Sequence, residues 1–175
     1  MQNHIRTFLP SPVGLLQIEA DERGLFALTF LPEGGSRVAI KYEMDSFNSG
    51  TNELISQFIR ELEAYFSGDL IQFSIDINWD LFSGFQKDVL TLTATIPYGT
   101  VWTYGELARN LSKPGGARAV GNALGSNPLP ILIPCHRVIG SDGRLHGFAG
   151  GLNAKAFLLG LEGHRVAGDR ILKAG

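Results

Sequence analysis

The chain has one cysteine in 175 residues, and only two methionines and two tryptophans. A lone cysteine excludes an internal disulfide framework and any cysteine-rich zinc site, and it suits a reducing compartment. Apolar runs are short as well. None approaches the roughly 18 residues a membrane span requires, and the opening "MQNHIRTFLPSPVG" lacks the basic region and apolar core of a signal peptide. There is no internal repeat and no low-complexity tract. These absences lead to the expectation of a soluble, intracellular protein.

What the chain does have is enough apolar material for a core, 44% of its residues, in a length that suits one large domain or two small ones. The formal charge of -2 conceals an asymmetry: residues 1–100 carry 6 Lys and Arg against 13 Asp and Glu, whereas residues 101–175 carry 9 against 4. A basic C-terminal part points toward a polyanionic partner, although an ordinary solvated surface gives the same split.

Texture also changes along the chain. "HIRTFLPSPVGLLQIEADERGLFALTFL" holds extended runs separated by "SPVG" and "DERG", the pattern of an antiparallel meander. "TNELISQFIRELEAYFSG" then sets Leu54, Ile55, Phe58, Ile59, Leu62, Tyr65 and Phe66 on one helical stripe with Gly68 as its stop. "IQFSIDI" alternates as a strand does, and "NWDLFSG" reads as a linker, which places a domain boundary near residue 80 and gives domains 1–80 and 81–175. Beyond it, "FQKDVLTLTATI" predicts a helix ended by "PYG". "TYGELARNL" predicts a second, with Thr103 as N-cap and Glu106 completing a capping box, and "GARAVGNALG" a third. The last two, joined by a tight Lys-Pro-Gly turn, suit a helix-turn-helix, and two ordinary packed helices would show the same pattern.

The third of these helices is unusual in composition. Gly116, Ala117, Ala119, Gly121, Ala123, Gly125 and Ser126 are small, Arg118 is its only long cation and Asn122 its only amide. Each glycine costs a helix about 1 kcal/mol relative to alanine, so the pattern needs a reason. A helix that reads base edges would carry several long donors and acceptors. This one is suited to close approach with little sequence preference.

The single thiol sits in "LPILIPCHRVIG", a run that otherwise resembles a buried strand. A lone cysteine in such a run is ordinarily a small buried hydrophobe. Here Pro134 removes a backbone donor just before Cys135, and His136 and Arg137 follow where a core strand would not hold two polar groups. A free thiol near pKa ~8.5 is only slightly ionised at neutral pH, so an adjacent base or cation is what makes it a nucleophile. Glu162 ends the last helix, "NAKAFLLGLEG", where a carboxylate opposes the helix dipole. It is either a frayed surface residue or the carboxylate that orients His136 in a triad-like relay.

With these motifs in view, "GARAVGNALGSNPLP", "IPCHRVIG" and "GFAGGLNAKAFLLGLEG" closely resemble the O6-alkylguanine-DNA alkyltransferases, over residues 82–166 and more loosely at "SPVG" and "AYFSG". The resemblance implies an α+β chain: a small N-terminal antiparallel sheet with a helix, then a mostly helical C-terminal domain that contains a helix-turn-helix and the reactive cysteine. It implies direct reversal of damage in double-stranded DNA. An alkyl group would pass from O6-alkylguanine, or from O4-alkylthymine, to Cys135 once and irreversibly, after minor-groove binding and extrusion of the nucleotide. In this resemblance His136 would act as base through a water, supported by Glu162, and Asn127 would hold the turn before the cysteine. Arg118 would fill the gap left by the nucleotide, with Ala117, Ala119, Gly121 and Asn122 along the DNA. Tyr104 would press the phosphate and face the base, and Pro130, Phe148, Ala149 and Gly150 would line the pocket, Ala149 chiefly through its backbone N–H.

Two departures from the family pattern stand out. Phe148 replaces the more usual Tyr, and "FQKDVLTLTATIP" lacks the Trp common there. The cysteines and histidine cluster of zinc-binding relatives are absent, so no metal and no cofactor are expected, and the protein is expected to act as a monomer in a bacterial cytoplasm or a nucleus. Lesion-binding relatives that do not react replace the nucleophile, whereas Cys135 is present. A cysteine hydrolase would not account for the helix pair, nor a DNA-binding regulator for its small residues.

Overall fold

A computed structural model describes residues 4–32 and 49–172. The architecture is α+β, and the chain divides into two compact units, Met1–Leu81 and Phe82–Gly175.

In the first unit, β1 (His4–Ser11), β2 (Gly14–Asp21) and β3 (Gly24–Phe30) form an antiparallel meander in that order. Alternation sends Leu16, Ile18 and Ala20 of β2 into the core. The first turn is closed by Ser11, whose Oγ donates to the Gly14 carbonyl at 2.6 Å, and the second by Asp21, whose carboxylate accepts from the Arg23 amide at 2.8 Å. Helix α1 (Ser49–Ser67) buries Ile55, Phe58, Leu62 and Tyr65 from the predicted stripe. Gly68, in the left-handed region at φ 84°, then lets the Asp69 amide reach back to the Ala64 carbonyl at 2.9 Å and ends the helix.

The strand predicted at "IQFSIDI" does not form. Its alternation arises from packing without a ladder: Phe73 lies against Phe58 and Tyr65, with ring centroids 6.0 and 5.4 Å away, and Ile75 is buried. The Ser74 amide and hydroxyl are both taken by the Glu61 carboxylate of α1, so this backbone is satisfied by a side chain. A 3-10 turn, Trp79–Leu81, follows.

The second unit begins with α2 (Gly84–Ala94). Strand β4 (Trp102–Thr103) leads directly into α3 (Tyr104–Asn110), whose predicted capping box is present: Thr103 Oγ1 accepts from the Glu106 amide at 3.1 Å while the Glu106 carboxylate accepts from the Thr103 amide at 2.6 Å. Helix α4 (Ala117–Gly125) follows across a turn. A Cβ at Gly116 would lie 2.9 Å from the Lys113 carbonyl, so glycine is what lets this turn close.

The apolar run around the cysteine is buried from Leu129 to Gly140, but it is not the strand its composition suggests. Cys135–Arg137 is a 3-10 turn, and only Val138–Ile139, β5, pairs with β4, in parallel. Pro134 and the left-handed Ile131, at φ 74°, break the extended geometry beforehand. Helix α5 (Gly151–Leu161) and the hairpin of β6 (Val166–Ala167) and β7 (Arg170–Ile171) complete the unit. Among the described residues no helix is long and apolar enough to cross a membrane.

Candidate active site

The site is assembled from the loop after α4, the Cys135 turn, the turn after α2 and the C-terminus of α5. Asn127 is the brace of the first. Buried beyond the end of α4, it accepts from the Leu129 amide through Oδ1 at 3.0 Å and donates through Nδ2 to the Ile133 carbonyl at 3.0 Å and to Cys135 Sγ at 3.2 Å. The residue expected to hold the turn therefore also touches the thiol.

A second network begins one residue later. His136 is fully buried, with Nε2 2.8 Å from Glu162 Oε1. Glu162 is only 4% exposed, which rules out the frayed surface reading. Its position follows from local structure: Gly163, left-handed at φ 89°, reverses the chain so that the His164 amide returns to the Leu159 carbonyl at 2.9 Å, and Glu162 at the cap turns inward. Opposition from the helix dipole is overcome by direct donors. Besides His136, the carboxylate accepts from Arg137 Nε and Nη2, each 2.9 Å from its nearer oxygen, and from the Gly99 amide at 3.2 Å. Tyr98 Oη donates to the Leu161 carbonyl at 2.7 Å, which satisfies one of the helix's terminal acceptors.

These contacts fix protonation states. Burial alone would raise the Glu162 pKa, but the hydrogen bonds from His136 and Arg137 and the Arg137 charge outweigh it and bring it down to about 2. An ionised carboxylate only accepts, so Nε2 of His136 carries the proton and a neutral ring keeps its lone pair at Nδ1. Burial, assisted by the charges of Arg137 and Lys155, lowers the His136 pKa despite the carboxylate beside it. The resting ring is neutral.

Cys135 is held toward its neutral form. Burial pushes its pKa up, and the Asn127 hydrogen bond and the Lys155 charge only moderate this. The thiol therefore rests protonated. Lys155 gave little sign of itself in the sequence beyond sharing a helical face with Ala154, Leu158 and Leu159. It is completely buried, and its Nζ donates to the carbonyls of Val138 at 2.7 Å and His146 at 2.9 Å, tying two walls of the site together. Burial lowers its pKa to about 8. Tyr104 is pushed up to about 12, by burial first and then by Cys135, so its hydroxyl stays a donor.

The thiol opens into a cleft of about 560 Å³, with Tyr104 and Asn127 beside it, Ala117, Arg118, Gly121 and Asn122 of α4 along one side, and His146, Phe148 and Ala149 on another. Three expected residues lie elsewhere. Pro130 is buried in a bridge with Ile133, Gly150 caps α5, and Ala119 faces a separate groove with Phe85 and Pro114. The rings of Phe148 and His136 meet edge to face, with centroids 6.2 Å apart. Sequence reasoning missed His146, whose ring lies 6.1 Å from that of Tyr104, as well as Lys155 and the full role of Arg137.

Comparison with known proteins supplies the family. The model of the 6-O-methylguanine DNA methyltransferase DNA binding domain matches residues 84–164, and that of the ribonuclease-like domain of the same proteins matches residues 5–79. The chain belongs to the 6-O-methylguanine DNA methyltransferase family. Among curated relatives, the methylated-DNA--protein-cysteine methyltransferase of Methanosarcina acetivorans is 42% identical over 87% of this chain and 94% of its own length. That of Mycobacterium leprae is 47% identical over 66% and 69%. The structure of Mycobacterium tuberculosis O6-methylguanine methyltransferase aligns with a TM-score of 0.71 at 34% identity, covering 91% of this chain and 93% of that one. The Mycobacterium tuberculosis protein OGT in complex with DNA aligns at 0.72 and 39%, covering 89% and 90%. This methyltransferase accordingly repairs O6-methylguanine in DNA, and its second unit contains the DNA binding domain.

Proposed function

We propose that Cys135 is the methyl acceptor, that His136 takes its proton, and that the transfer follows extrusion of the damaged nucleotide from duplex DNA into the cleft. The observation that carries this reading is the paired bonding of adjacent residues on one buried turn: Asn127 on the Cys135 sulfur, Glu162 on His136.

In this reading the thiol proton passes to His136 through a water, and the sulfur attacks the alkyl carbon. The S–C bond forms as the C–O6 bond breaks, and its electron pair leaves with the guanine. The departing base takes up a proton, so that thiol plus O6-methylguanine becomes thioether plus guanine. Tyr104, held as a phenol at the cleft wall, is the donor for the oxygen that gains charge. No group in the cleft offers a route to hydrolyse a thioether, so each molecule reacts once.

DNA would lie along α4 on its minor-groove side, with backbone and shape contacts that are sequence-independent and salt-sensitive. Two glycines support this. A Cβ at Gly121 would meet only Tyr104, at 3.8 Å, and one at Gly125 nothing within 4 Å, so the protein's own packing does not require glycine at either position. A surface approaching from outside does. Arg118, exposed on this face, fills the space of the flipped nucleotide, whose extrusion costs a few kcal/mol. The same displacement at an alkyl carbon would also serve O4-alkylthymine, which this reading admits as a second substrate.

Mass spectrometry after mixing with excess methylated duplex tests the assignment. A single added methyl group on the Cys135 peptide is expected, and none in Cys135→Ala, which should still bind the duplex. Transfer by Cys135→Ala would refute it.

A further inference from the structure

Arg137 reads in the sequence as just another polar neighbour of the cysteine. The structure holds it from three sides. It is 7% exposed, its Nε and Nη2 lie on Glu162, and its Nη1 donates to the Ile96 carbonyl at 2.5 Å. Its guanidinium carbon lies 5.9 Å from the centre of the Tyr98 ring. The Cys135 turn, the turn after α2 and the end of α5 thus meet on one planar group, and a lysine has no fork to make these contacts together.

The contact that matters chemically is at Glu162 Oε1. That oxygen accepts from His136 at 2.8 Å and also from Arg137 Nε at 3.1 Å and Nη2 at 2.9 Å. A buried carboxylate alone beside an imidazole stabilises the imidazolium, which has no lone pair left to take a proton from the thiol. Sharing the carboxylate with a permanent cation reduces that pull, and the cation repels a charged ring directly. The charged groups that bear on His136 are Glu162 at the cap of α5, Lys155 from α5 and Arg137 from its own turn, with the Phe148 ring beside it; of these only Glu162 favours a charged imidazole.

We infer that Arg137 is a positioning residue for methyl transfer, clamping Glu162 so that His136 remains neutral with its proton on Nε2 and is free to act as base. This rests on the reading of His136 as the base for Cys135. It adds that the relay depends on a balance between one carboxylate and one guanidinium, both buried.

Ring nitrogen NMR of His136 and single-turnover transfer rates at saturating methylated duplex test it, across pH 5.5 to 9. The wild-type ring is expected to be neutral and Nε2-protonated at pH 7. Arg137→Met should raise the protonation midpoint of the ring by at least about 1 pH unit, and the acid limb of the rate profile should move up with it. Arg137→Lys, which keeps the cation, should leave the midpoint within roughly half a unit of wild type while slowing transfer. An unshifted midpoint in Arg137→Met overturns the inference whatever the rate does, as does a wild-type imidazolium at pH 7. Should the methionine variant fail to fold, the wild-type ring and a lysine-variant midpoint displaced upward by a full unit retain the power to refute. His136→Ala separates the two claims. A wild-type rate there would bring down the base reading itself, whereas a slow His136→Ala with an unshifted Arg137→Met ring would sink this inference alone.

Discussion

Two stretches of the second unit meet at one cleft and are built in opposite ways. From Asn127 to Arg137 the polar side chains are buried and bonded: Asn127 to the thiol and two backbone groups, His136 and Arg137 to a single carboxylate. Across the cleft, α4 offers Ala117, Gly121 and Gly125 with one exposed arginine, and Arg118 makes no ion pair among the described residues. On the proposed reading, the difference follows from two tasks. Bond breaking needs charges and donors fixed before substrate arrives, in surroundings where electrostatic interactions are strong. Inspection of any DNA sequence needs a surface that approaches closely without committing side chains to particular bases.

The strongest way to break the comparison is to disturb the buried side. Glu162→Gln leaves Arg137 without its counter-charge, and loss of one member of such a pair costs about 3 to 5 kcal/mol of stability. The urea midpoint should fall accordingly, and transfer at saturating DNA should slow more than duplex binding weakens. An unchanged rate from pH 6 to 9 would remove Glu162 from the relay.

Acid is expected to act on the same pair without mutation. The Glu162 carboxyl, near 4.5 ordinarily, is held at about 2 in the folded chain. Its contribution, about 3 kcal/mol by linkage, is complete above pH 4.5 and is lost as pH falls toward 2. His136 acts in the same sense, since its lowered pKa makes unfolding take up a proton below its ordinary value of 6.5. Denaturant titrations between pH 7 and 3 should show stability declining in two stages, the first from the histidine. In Glu162→Gln the lower stage should be missing.

On the exposed side the effects are smaller and depend on substrate. Arg118→Ala should slow repair in duplex DNA by the equivalent of ~1 to 3 kcal/mol, part of the unstacking cost, while reaction with free O6-methylguanine base stays near wild type. Parallel rates with saturating duplex check this, and equal losses on both substrates would move Arg118 into the pocket. The smallest change should come from Gly121→Ala. Its new Cβ would meet only Tyr104, at 3.8 Å, so the helix should gain roughly 0.5 to 1 kcal/mol. Affinity for duplex should nevertheless fall, because the face loses its close approach. Tighter DNA binding by this variant would mean that α4 does not lie against the duplex.

Local signals carried much of the fold. The meander, the stripe of α1 and the capping box at Thr103 were legible because turn chemistry and helical periodicity act over a few residues. "IQFSIDI" misled for the same reason: alternation reports that one face is buried, and it contains nothing about whether a partner strand is present. In the site, Cys135 and His136 stood out by their company, and Glu162 by an unfavourable place on its helix. Lys155 looked like an ordinary cation and Arg137 only like a polar group out of place beside the thiol, since a sequence does not display which carbonyls or carboxylate will be waiting for them.

The sequence by itself determined which side chains are available: one thiol, a histidine and arginine after it, a carboxylate at a helix end and a helix of small residues. Tertiary structure alone decided their states. Burial raised the thiol pKa and lowered that of the histidine, while His136 and Arg137, brought in by the turn that carries them, held Glu162 ionised. Proton affinity depends on solvent exclusion and on donors and charges a few ångströms away, and those neighbours lie 25 and 26 residues from Glu162 along the chain.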